Sequence, residues 1–218
     1  MQLSFKELPN GIRIVHQEIS HTRLVHCGFI LNIGSRDEDQ EQEGLAHFWE
    51  HMAFKGTQKR KTFHILNRLE SLGGELNAYT TKEKVCFYAS VLKDHYGKAA
   101  ELLYDITFHS TFPEKQIERE RQVILEEMAM YRDSPDDAIQ DELDALVFDQ
   151  HALGRNILGT EQTVGNFHHQ DFIDFISSRL DTSQLVFSIV GNISFEKALR
   201  QIEGPLREIP TKRTLYTR

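Results

Sequence analysis

The stretch Gly44-Leu-Ala-His-Phe-Trp-Glu-His-Met-Ala-Phe-Lys-Gly-Thr57 constrains the fold more than any other, because it meets two demands on one helix. Leu45, Phe48, Trp49 and Met52 recur at i, i+3, i+4 and i+7, the spacing of a buried apolar stripe. At about 100° per residue, His47, Glu50 and His51 centre on roughly the opposite side. A helix over 44–57 is predicted to anchor one face in a core while three polar groups project from the other. Gly56 is placed to end it.

That polar trio suits a metal. Histidines four apart lie one turn apart on the same side, so two imidazoles can reach one ion. Glu50 sits beside the second histidine, within reach of a water held on that ion. The order H-x-x-E-H inverts the commoner H-E-x-x-H and is itself a zinc-peptidase signature. The competing reading is a solvated helix face with two ordinary histidines, so a third ligand has to be found.

The rest of the composition narrows the class. The 218 residues are 39% hydrophobic and 27% charged, enough for a packed core in one large domain or two small ones. No Pro/Ser-rich linker, internal repeat or low-complexity run interrupts the interior. A net charge of −8 without a basic run argues against nucleic acid as a partner. Cys27 and Cys86 fall in strand-like runs with no zinc spacing and read as reduced core thiols. Residues 1–20 lack the apolar run of a signal peptide, which makes a cytoplasmic location the expectation, and no stretch is long enough for a membrane span.

In chain order, residues 2–7 and 11–17 alternate apolar and polar across Pro9-Asn10-Gly11, a predicted hairpin. Residues 24–33 form a nearly continuous apolar run, a strand expected to be central. The acidic run 37–43 reads as a solvated loop. Residues 62–72 read as a helix stopped by Gly73-Gly74, followed by a second hairpin over Glu75–Thr81 and Lys84–Leu92. Helices are expected over 94–110, about 114–131, from Ser134-Pro135 onward, 167–180 and 194–203, with a strand over 184–191. Hairpins mixed with separate helices give an α+β fold, a mostly antiparallel sheet with helices packed on one face. The domain is expected to span 1–209. The basic tail 210–218 reads as the start of a linker toward a second domain.

A catalytic zinc site takes three protein ligands and an open position. In the helix over 114–131 the apolar stripe runs through Ile117, Ile124, Leu125, Met128 and Tyr131. Glu120 and Glu127 lie seven apart on one edge of that stripe, while Glu126 falls opposite and should be solvated. Periodicity leaves Glu120 and Glu127 as equal candidates.

The blocks HFWEHMAFKGT, GGELNAYTTKE and ERERQVILEEM together resemble the pitrilysin/insulinase family of inverted zincins, which includes mitochondrial processing peptidases and many bacterial homologues. The family carries H-x-x-E-H with a glutamate ligand well downstream and a second glutamate two helical turns before it. Here Glu127 follows His51 by 76 residues and Glu120 precedes Glu127 by seven. The likeness extends through Gly34-Ser35-Arg36, His151–Thr160 and Val190-Gly191-Asn192, essentially the whole chain. It implies one zinc held by His47, His51 and Glu127, with Glu50 as general base of a metalloendopeptidase. Glu120 would be a supporting acid orienting a ligand histidine. It further implies that Asn77, Ala78 and Thr80 lie on an edge strand that pairs with a peptide substrate.

Family chains are about twice this length, with two similar domains closing around the peptide. The resemblance therefore implies a partner, either a second homologous domain or a separate subunit. The arginine–tyrosine pair that the family's second domain supplies has no match here. The rival expectation is a non-catalytic peptide-binding or assembly module that needs that second half for turnover. Intact Glu50 favours the enzyme, since a purely structural zinc site has no use for a base.

Overall fold

The computed structural model describes residues 3–214 and Tyr216, apart from the side chain of Asp137. Six strands build one sheet: β1 (Ser4–Glu7), β2 (Arg13–Glu18), β3 (Leu24–Leu31), β4 (Glu75–Thr80), β5 (Val85–Leu92) and β6 (Leu185–Gly191). Their order is β1-β2-β6-β3-β5-β4. Every pairing is antiparallel except β2 with β6, so the expected α+β fold with a mostly antiparallel sheet is found. The parallel pair arises because the last strand inserts between β2 and β3, a long-range event with no local signature.

The helices are α1 (Leu45–Ala53), α2 (Thr62–Glu70), α3 (Tyr96–Phe108), α4 (Glu114–Asp133), α5 (Pro135–Val147), α6 (Glu161–Asn166), α7 (His169–Arg179) and α8 (Phe195–Glu208). They cover one face of the sheet. Val25, Cys27, Phe29 and Leu31 of β3 and Leu185, Phe187 and Ile189 of β6 point into a continuous apolar core, and the residues between them do not. β3 is an interior strand as expected, but it is buried by alternation rather than on both faces. Burial pushes the Cys27 thiol up to about 12, and both cysteines are free.

Several boundaries move for physical reasons. The first hairpin closes over Leu8–Ile12, with Asn10 buried and donating to Leu206 O and Ile209 O at 2.7 and 2.8 Å. The helix expected over 167–180 is found as α7, and a short helix not expected from the sequence, α6, precedes it, capped by Thr160 accepting from Thr163 N–H. Of the adjacent histidines, His168 is exposed, whereas half-buried His169 places Nδ1 3.0 Å from Phe112 O. The expected end at 203 is overrun, because Ala198, Ile202 and Leu206 carry a buried face past Pro205.

Residues 210–214 lie against the domain. Thr182 N–H donates to Lys212 O at 3.0 Å, and the Thr214 hydroxyl donates to Ser178 O at 2.8 Å. Of the expected linker, Leu215, Thr217 and Arg218 fall outside the described residues, as do Met1 and, of the first predicted strand, Gln2. Among the described residues no helix is long and apolar enough to cross a membrane.

Candidate metal centre

Helix α1 is the scaffold of the site, and it is buried nearly all round. Leu45, Phe48, Trp49 and Met52 are fully enclosed as predicted. Phe48 meets Phe172 edge-on at 5.2 Å, and Trp49 packs on Phe87 of β5 at 5.8 Å. The opposite face is not solvated: it is covered by α4 and β4, so His47 is only 8% exposed.

The start of α1 is fixed by a residue that sequence reasoning missed. The acidic run 37–43 was expected to be a solvated loop, but Asp37 and Glu38 are buried. Glu38 Oε2 accepts Gly44 N–H at 2.9 Å and Oε1 accepts Ala46 N–H at 2.7 Å, satisfying donors the helix itself cannot. Gly44 has φ +93, and a Cβ there would lie 2.4 Å from Leu158 O. Only glycine fits.

Three ligand atoms converge beside α1. Glu127 Oε2 lies 3.8 Å from His47 Nε2 and 3.6 Å from His51 Nε2. His47, His51 and Glu127 form the one group among the described residues whose potential ligand atoms all lie within 4.8 Å of one another. Zinc bonds of about 2.1 Å in a tetrahedron separate ligand atoms by about 3.4 Å, so the two separations from Glu127 need only a small contraction. Burial, helped by the neighbouring His51, lowers the His47 pKa to about 3, which keeps its imidazole neutral and able to ligate. Two imidazole nitrogens and a carboxylate oxygen turned on one point are the donor set of a cation site. His47 Nδ1 is buried, and among the described residues it has no hydrogen-bond partner to support that ring from behind.

His51 does have such support. Its Nδ1 is 3.0 Å from Glu120 Oε1, and Lys55 Nζ is 2.7 Å from Glu120 Oε2. Burial would raise the Glu120 carboxyl, but the hydrogen bonds from His51 and Lys55 outweigh it and hold the pKa below the usual value. An ionised carboxylate only accepts, so Nδ1 donates to Glu120 and Nε2 is the nitrogen turned toward a metal. Glu126, in contrast, is exposed.

Glu50 faces the same space. Its Oε2 accepts the Thr80 hydroxyl at 2.8 Å. Burial raises its pKa by more than Thr80 and nearby His51 pull it down, and Glu127 adds to the rise. A carboxylate with a raised pKa is suited to taking up a proton and giving it back.

The three residues expected to meet substrate separate. All lie on β4, the edge strand, but only Ala78 and Thr80 line the cleft of about 370 Å³ over the trio. Asn77 is exposed, with Oδ1 accepting from Ala78 N–H at 2.8 Å. The far wall is Tyr131, Asn156 and Leu158. The last two belong to a loop in which no residue type signals a site.

A family model described as Insulinase (Peptidase family M16) matches residues 13–161. The chain is 40% identical over 185 residues to a Bacillus subtilis protein named uncharacterized zinc protease YmxG, covering 85% of this chain and 45% of that one. It is 37% identical over 196 residues to the probable mitochondrial-processing peptidase subunit beta of Arabidopsis thaliana, covering 90% and 37%. The crystal structure of the periplasmic protease PqqL from Escherichia coli superposes with a TM-score of 0.91 at 24% identity, over 99% of this chain and 25% of that one, which shows a shared fold. The chain spans less than half the length of these relatives. It belongs to the pitrilysin/insulinase family of peptidases and corresponds to the N-terminal domain of that family.

Proposed function

We propose that the protein is the catalytic half of a zinc-dependent endopeptidase acting on peptides or small unfolded proteins. The observation that carries this reading is the convergence of His47, His51 and Glu127 within 4.8 Å of one another, with half-buried Glu50 one residue from the second histidine. When bound, zinc would supply a Lewis acid that polarises the scissile carbonyl and makes water a nucleophile near neutral pH. His47, His51 and Glu127 would hold it. Glu50 takes a proton from the attacking water and delivers it to the leaving amine. Thr80 keeps the Glu50 carboxylate in place, and Glu120 keeps the His51 ring in place. The open edge of β4 receives the substrate backbone as an added strand. A second homologous domain or subunit would close the cleft from the other side.

The test compares zinc content and peptide hydrolysis in the wild type and Glu50→Gln. About one zinc per chain in both proteins is expected. Cleavage should fall by about two to four orders of magnitude in Glu50→Gln. Wild type without zinc overturns the reading. Zinc in both proteins without cleavage by either moves the test to the chain supplemented with a second half.

A further inference from the structure

Helix α4 carries two glutamates two turns apart, and both approach His51. Glu120 Oε1 is 3.0 Å from Nδ1, and Glu127 Oε2 is 3.6 Å from Nε2. Either carboxylate is a competent zinc ligand by type. What separates them is a cation. Lys55 Nζ binds Glu120 Oε2 at 2.7 Å, so both oxygens of Glu120 are engaged. Among the described residues no lysine or arginine lies within ion-pair distance of Glu127, whose neighbours in that range are the two imidazoles.

Lys55 is itself held. It follows His51 by four residues, just beyond the end of α1, with its N–H donating to Met52 O at 3.0 Å and its carbonyl accepting the Thr62 hydroxyl at 2.9 Å. The loop that follows is tied down by Thr57 donating to Asp105 Oδ2 at 2.8 Å and by Arg60 paired with Asp105 and Glu101. A lysine on so fixed a backbone can hold its partner's orientation as well as its charge.

We propose that Lys55 is a positioning residue that reserves Glu120 for His51 and thereby leaves Glu127 as the acid available to the metal. The assignment rests on the zinc reading above. Without Lys55 the Glu120 carboxylate is nearly buried with one oxygen unmatched, free to turn, and its hold on the His51 ring loosens.

The test is a double-mutant cycle on zinc affinity, measured by chelator competition with wild type, Lys55→Met, Glu120→Gln and the double variant. Lys55→Met should weaken zinc about tenfold, the low end for loss of an outer support. Lys55→Arg should bind within about threefold of wild type, since it keeps the charge. The double variant should bind like Glu120→Gln alone, because Lys55 acts only through Glu120. Unchanged affinity in Lys55→Met, or losses that add in the double variant, overturns the assignment and leaves the zinc reading standing. Wild type that binds no more tightly than Glu127→Gln overturns the zinc reading instead, and the assignment with it. Should Lys55→Met fail to fold, Lys55→Gln keeps most of the stem without the charge and gives the same comparison.

Discussion

Thr80 on the edge strand β4 donates its hydroxyl to Glu50 Oε2 at 2.8 Å, linking the strand expected to meet the substrate to the acid expected to move its proton. The family resemblance gives Thr80 a substrate-binding role. The geometry gives its side chain a different one, and the two make different kinetic predictions.

If Thr80 holds Glu50, Thr80→Val removes one hydrogen bond to a charged group and lowers kcat about tenfold. KM and zinc content stay near wild type, and Thr80→Ser restores the rate. A rise in KM at unchanged kcat would return Thr80 to the substrate.

Glu38 makes a second prediction, for stability. Its carboxylate takes two N–H groups at the start of α1, and Glu38→Ala leaves those donors buried without partners. The expected loss is about 2–3 kcal/mol in urea unfolding of the metal-free protein. Glu38→Gln keeps one acceptor but turns an amide NH₂ toward the other donor, so it should fall between. A change below about 0.5 kcal/mol in Glu38→Ala would mean that water or another group caps the helix instead.

How far the site could be read from sequence depends on how local each relationship is. His47, Glu50 and His51 lie within five residues, so helical period alone places them together. Glu120 and Glu127 share one edge of α4, and the same period makes them equivalent. The distinction lies in Lys55, which reaches Glu120 across 65 residues of chain. Glu38 was misread because an acidic run before a helix has the composition of a solvated loop, and its burial depends on backbone donors that composition cannot reveal. In the fold, hairpins and helix faces were legible for the same local reason. The insertion of β6 beside β2 was not, since pairing partners so far apart leave no trace in either strand.

The last prediction concerns pH and tests whether His47 is neutral in the fold. Burial lowers its pKa from 6.5 to about 3. The unfolded chain therefore takes up a proton near pH 6.5 that the folded one refuses until about pH 3. Stability from this residue is fully present above pH 6.5 and is lost as pH falls through that window. The slope approaches about 1.4 kcal/mol per pH unit when the two states differ by one proton. Glu50 opposes it: its raised pKa means the folded state protonates first, so it adds stability as pH falls toward 4.5. Thermal unfolding in the presence of chelator, followed from pH 7 to pH 4, should show Tm falling more steeply in wild type than in His47→Gln. Only the histidine differs between the two proteins, so Glu50 cancels in the comparison. Parallel curves would mean that the His47 ring already carries a proton in the folded protein, and a protonated ring could not serve as a ligand until it gave that proton up.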